Sequence, residues 1–205
     1  MEIQKWAKDK RFLIGIVLAH ILLYFSFDHK KVFWYIFTAS MLFLISYAIV
    51  HEEIENESPF SVNFFYGIIS GALLFGIFFL GDFIIDKLNL PFQKEVSRLY
   101  KQLSPKGWWH YAILLLIIVP GEEIFWRGFI QKRLERITTM KASIIIASLL
   151  YASAHFYSGT VVLPLAALIC GLFWGILYSW KKSIPLVIVS HLVFSLCLFL
   201  IFPLR

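Results

Sequence analysis

The residues best equipped for chemistry are two adjacent carboxylates and an arginine. They lie in the run Pro120-Gly121-Glu122-Glu123-Ile124-Phe125-Trp126-Arg127-Gly128, directly after the apolar stretch Tyr111 to Val119. Charges beside a membrane-type segment are costly unless they find partners or water, so they mark a functional site by default. Residues four apart share a helix face, which sets Glu123 over Arg127. At about 3.6 residues per turn, Glu122 lies about 100° from Glu123 and about 140° from Arg127. Glu122 is therefore the freer carboxylate. The spacing predicts that Glu123 and Arg127 brace each other while Glu122 faces a reaction centre. Pro120 removes a backbone donor and frees a carbonyl, which predicts a kink beside a cavity. The bland alternative is a charge cluster where a helix leaves the bilayer.

Two further polar pairs fall in later apolar segments. Tyr151 stands four residues before His155, and His191 four residues before Ser195. Each pair shares a helical face. A bundle that turns all three stripes inward gathers a carboxylate and two imidazoles around a wet pocket. Such a set suits hydrolysis. The carboxylate takes a proton from water, and an imidazole orients that water or protonates the leaving amine. The second imidazole and the hydroxyl donate to a developing oxyanion. The same atom types also ligate a divalent metal such as zinc. Taken singly, each histidine reads equally well as a satisfied interior residue.

The elements that must position these groups are membrane helices. The chain has 205 residues, of which 60% are hydrophobic and 18% aromatic. Mean hydropathy is +0.76. A soluble domain is about 45–50% apolar. The expected fold is all-α, a polytopic bundle of about seven membrane helices, with six to eight as the range. The spans run over 12–27, 32–50, 62–85, from Trp108 to near Arg136, 141–157, 160–180 and 184–204. The first follows a basic stretch with Lys5, Lys8, Lys10 and Arg11, and no small-residue cleavage site follows it, so it reads as an uncleaved helix. Residues 86–106 alternate basic and apolar positions at helical spacing and predict an interfacial amphipathic helix, with Trp108 and Trp109 at a membrane boundary. Gly67 with Gly71 and Gly171 with Gly175 offer faces for close helix approach. The whole is read as one membrane domain, 1–205. Its N-terminal helices and amphipathic segment occupy 1–107, and its motif-bearing helices 108–205.

Other features exclude functions. The formal charge of +6 is spread over short loops, which suits anionic lipid headgroups and not nucleic acid. Cys170 and Cys197 lie in apolar runs and predict no disulfide. The segment His51-Glu52-Glu53-Ile54-Glu55 lacks the second histidine of a zinc-protease helix and reads as a solvated acidic loop. Asp82 reads as interfacial, with an interior-facing position as the lesser alternative, and His20 as a satisfied interior histidine or a position near the membrane edge. The Lys and Arg tally tips slightly towards a cytoplasmic N-terminus: Lys5, Lys8, Lys10, Arg11, Lys132, Arg133, Arg136, Lys141, Lys181 and Lys182 stand against Lys30, Lys31, Lys87, Lys94, Arg98, Lys101, Lys106 and Arg205.

Glu122-Glu123-x-x-x-Arg127, Tyr151-x-x-x-His155 and His191-x-x-x-Ser195, in that order, resemble the three motifs of the CAAX protease and bacteriocin-processing family. That family includes type II CAAX prenyl endopeptidases and proteins of bacteriocin self-immunity. The resemblance covers about Trp108 to Ser195. It implies an intramembrane endopeptidase in which Glu122 activates water with help from His155. It implies that His191 and the residue one turn later stabilise the oxyanion, and that Glu123 and Arg127 hold the site. The family's third motif usually ends in asparagine or aspartate, where this chain has Ser195. The resemblance leaves metal dependence open. The expected partners are membrane lipid and a peptide or protein substrate, in the plasma membrane of a bacterium. The rival readings are a non-proteolytic immunity or signalling scaffold of the same fold, and a small transporter or proton relay.

Overall fold

A computed structural model describes residues 9–203. Lys5, Lys8, Leu204 and Arg205, which figured in the span and charge readings, lie outside the described residues. Among the described residues there are eight helical stretches and no strand. Helix α1 is Lys10–Asp28, α2 Phe33–His51, α3 Phe60–Lys87 and α4 Gln93–Leu103. Helix α5 occupies residues 108–135 as five consecutive segments. Helix α6 is Met140–His155, α7 Val162–Lys181 and α8 Ile184–Leu196, the last continued by a π turn over Cys197–Ile201. Five of them, α1, α2, α3, α7 and α8 with its π turn, are long and apolar enough to cross a membrane. With α5 and α6 the bundle has seven principal helices, and α4 is the amphipathic eighth. The chain is an integral, multi-pass membrane protein.

The helix starts follow local chemistry. Asp9 caps α1 by accepting from the Phe12 N–H at 3.0 Å. Thr139 caps α6 and Ser183 caps α8 through the amides three residues on. Each cap satisfies a donor that the first turn leaves without an internal partner.

Helix α3 shows what solvent the bundle expects. Its buried stripe is Asn63, Gly67, Ser70, Gly71 and Leu74, while Phe64, Phe65, Ile69 and Leu73 face outward. Small and polar residues inside with large apolar ones outside is the pattern of helix packing in lipid. An added Cβ at Gly71 would lie 2.3 Å from the Ser190 carbonyl oxygen, and one at Gly67 2.6 Å from Val189. Backbone cannot yield as a side chain tip can. Gly71→Ala should therefore cost about 1–3 kcal/mol through overpacking. Gly76→Ala, with nothing within 4 Å, should be silent. Thermal unfolding of the two variants in one detergent separates these outcomes.

The 52–59 loop differs from the solvated loop expected of its composition. Glu52 is buried and pairs with Arg133 at 2.9 Å and Arg136 at 2.5 Å. Glu55 pairs with Lys132 at 3.1 Å and accepts from Tyr178. The Ile184 amide donates to the Glu55 carbonyl. Glu52 and Glu55 are matched by basic residues more than seventy positions away at the end of α5, so reading the loop by itself misses them, while Glu53 and Glu57 are exposed as expected. This network ties α1, α2, α5 and α8 together at one end of the bundle.

Two of its carboxyls predict acid sensitivity. Burial opposes ionisation of Asp9, yet the Phe12 amide and the Arg133 guanidinium outweigh it and hold the group below its ordinary value of 3.8. Burial likewise raises Glu55, and Tyr178 and Lys132 overcome it, so its pKa also falls below 4.5. A folded pKa below the unfolded one stabilises the fold above the unfolded value, and that stability is lost as pH falls through the folded value. Melting temperature should decline on acidification below about pH 4.5. Asp9→Asn should melt below the wild type at neutral pH, and the two curves should converge in acid.

Candidate active site

Helix α5 carries the two glutamates of the first motif between two π turns, and Arg127 within the second. These are Leu114–Ile118 and Ile124–Gln131, and the segment Val119–Glu123 lies between them. The Val119 amide reaches back five residues to the Leu114 carbonyl. The wider turn absorbs Pro120, which has no amide to give and would crowd a regular helix. π turns are frequent at functional sites because they re-aim side chains. Both glutamates point inward, Glu122 6% exposed and Glu123 not exposed. Gly121 lets α2 approach, since a Cβ there would stand 3.1 Å from Ile45.

Glu123 and Arg127 form a buried ion pair at 3.2 Å. Glu123 Oε1 also meets His191 Nδ1 at 2.7 Å. A carboxylate only accepts, so Nδ1 carries the proton and His191 Nε2 is turned to Glu122, 3.9 Å from its Oε2. His155 is set in the same way from another element. Its Nδ1 donates to the Tyr151 carbonyl at 2.8 Å, and its Nε2 lies 3.7 Å from Glu122 Oε1. The Tyr151 hydroxyl donates to Glu122 Oε2 at 3.2 Å. Two imidazoles from different helices thus aim the same ring nitrogen at one carboxylate. Separations of this size are too long for a direct hydrogen bond and suit a group that bridges the two.

Arg127 is held on all sides. Its guanidinium lies 4.9 Å from the Tyr151 ring centre and 5.4 Å from that of Trp174, and it donates to the Cys170 carbonyl at 3.5 Å. Trp174 stacks on His191 with centroids 3.8 Å apart. The Trp174 indole donates to Ser190, and Ser190 also receives from Ser70 of α3. Two carboxylates against one guanidinium leave one negative charge if both imidazoles are neutral.

Glu122, Tyr151, His155, His191 and Ser195 line a cavity of about 550 Å³ whose wall is otherwise almost wholly apolar. Half-buried Asp82 of α3 is the one further charged residue on that wall among the described residues. Ile77 and Ile84 of α3 and Leu165 and Ile169 of α7 line the cavity and are also exposed on the bundle's outside. The space therefore opens sideways between α3 and α7. The apolar face of α4, with Val96, Leu99 and Leu103, roofs it. Glu95 of α4 accepts from the amides of Val161 and Val162 at the start of α7, at 2.8 and 3.1 Å.

All five residues singled out by motif, Glu122, Glu123, Arg127, His155 and His191, meet in one connected group. Ser195, also buried, lines the same cavity. The indole of Trp174, the hydroxyl of Ser190 and the carbonyl of Cys170 join the group without a motif to announce them. Their one sequence signal is the small pair Gly171 and Gly175, which brings α7 close. His20 stays outside, bonded to Tyr157 and Ser153. Cys170 and Cys197 are free thiols. Among the described residues, no three His, Cys, Asp or Glu side chains are grouped to hold one metal ion.

Residues 104–197 match the family model described as type II CAAX prenyl endopeptidase Rce1-like. No curated protein and no solved structure matches the chain.

Proposed function

We propose, from the premise that residues 104–197 form a domain of the Rce1-like family of type II CAAX prenyl endopeptidases, that this chain hydrolyses a peptide bond inside the membrane with Glu122 as base. The observation that carries the reading is the Glu122 carboxylate facing two imidazole Nε2 atoms at 3.7 and 3.9 Å in the wall of an apolar cavity. A water between Glu122 and His155 gives its proton to Glu122 and adds its oxygen to the scissile carbonyl. His155, with its Nδ1 proton pinned to the Tyr151 carbonyl, orients the water through Nε2. When His191 is protonated at both nitrogens, Nε2 donates to the oxyanion and Glu123 balances the charge at Nδ1. As the carbon–nitrogen bond breaks, the proton on Glu122 passes to the leaving amine and the carboxylate returns. Tyr151 fixes Glu122, while Arg127 fixes Glu123 and through it His191.

The cavity bears on the substrate. Its apolar wall and sideways opening suit a peptide that carries an apolar or lipid-modified segment next to the bond to be cut. A mixed peptide library incubated with purified protein in lipid, with products identified by mass spectrometry, tests the reading. Fragments that appear with the wild type and vanish with Glu122→Gln support it. Fragments that persist in the variant overturn it. A chelator added to the same assay reads metal dependence.

A further inference from the structure

The two ends of the bundle treat their charges differently. At one end Lys132, Arg133, Arg136 and Lys182 are each paired with a carboxylate. At the other, Lys94, Arg98, Lys101 and Lys106 are exposed and share one shallow groove on the outer face of α4. Among the described residues, none of these four forms an ion pair. The one carboxylate on α4, Glu95, is turned away to the start of α7. A row of basic groups left without internal partners calls for an anion from outside.

The placement of α4 says what carries that anion. The helix is strongly amphipathic, with Lys94, Arg98 and Lys101 on one face and Val96, Leu99 and Leu103 towards the cavity. Trp108, 82% exposed, follows it at the head of α5, where tryptophan marks the boundary of a bilayer. A helix with a basic outer face, lying beside an interfacial tryptophan, sits at headgroup depth. We propose that Lys94, Arg98 and Lys101 bind the phosphates of anionic lipids, and that this contact seats α4 as a lid over the cavity. Each cation near an anionic surface adds attraction, and the sum falls with salt. The second hold on the lid is internal: Glu95 on α7, and the Tyr100 hydroxyl donating to the Leu198 carbonyl at 3.1 Å. Lipid charge would thus set how firmly the roof of the site is closed.

Amide hydrogen exchange over residues 93–103 tests this in vesicles. The protein is compared in phosphatidylcholine alone and with about 30% phosphatidylglycerol. The anionic lipid should slow exchange about tenfold, and about 0.5 M sodium chloride should remove most of that difference. Lys94→Gln/Arg98→Gln/Lys101→Gln should exchange alike in both vesicles, with α7 and α8 protected as in the wild type to show that the fold holds. Equal exchange of the wild type in both vesicles, or lipid dependence retained by the triple variant, overturns the proposal. So does equal protection from inorganic phosphate on neutral vesicles, which would assign the groove to a soluble anion. Protection by an acidic peptide and not by lipid would give the face to a protein partner and overturn it too.

Discussion

Glu122→Gln should reduce peptide hydrolysis by about a hundredfold to ten-thousandfold, the range a positioned general base contributes. The substitution keeps the shape of the side chain and an oxygen for the Tyr151 hydroxyl, which now stands 3.2 Å away. It removes only the ability to take a proton. The side chain keeps its size and its place in the cavity wall, so the melting temperature should stay close to that of the wild type. Those two results together separate a chemical role from a structural one. A variant that loses activity because it unfolds would fail the second measurement. Turnover within about tenfold of the wild type, in a protein that melts normally, would remove Glu122 from the role of base.

Arg127→Met should be the most destabilising change in the bundle. Glu123 has no exposure, and the guanidinium is the cation that balances it. Removing one partner of a buried pair leaves an uncompensated charge and costs about 3–5 kcal/mol. For a chain of this size that is a drop in melting temperature of roughly 10 °C. The paired variant Glu123→Gln/Arg127→Met should recover part of the loss, because two neutral side chains bury more cheaply than one charge. Thermal melts of the single and double variants in one detergent decide it. A double variant no more stable than the single would mean that Arg127 acts through its packing between Tyr151 and Trp174, and not through its charge.

The bundle was legible because lipid imposes long apolar runs and tolerates few exceptions. The helical spacing of Glu123 and Arg127 was legible for the same kind of reason, since a four-residue interval on a helix is a contact almost by geometry. What the sequence left open follows from distance along the chain. Trp174 and Ser190 support His191, yet neither carries a spacing signal, because their partners lie on other helices. The π turns on either side of Val119–Glu123 depend on packing around Pro120 and leave no period to read. The acidic loop after α2 looked solvated because its arginines come from the end of α5. Ser195 faces the cavity as the motif spacing implies.

Helix α6 spans only Met140–His155, 16 residues, and ends on one of the two imidazoles. At about 1.5 Å per residue it rises roughly 24 Å, short of the roughly 30 Å of hydrocarbon in an ordinary bilayer. Lipids beside it must shorten or the headgroups must dip to meet it. His155 lies at the end of α6 nearest α4. If Glu122 draws on water as proposed, a dip at that end would shorten the water's path, and the length of a single helix would set how far it has to travel.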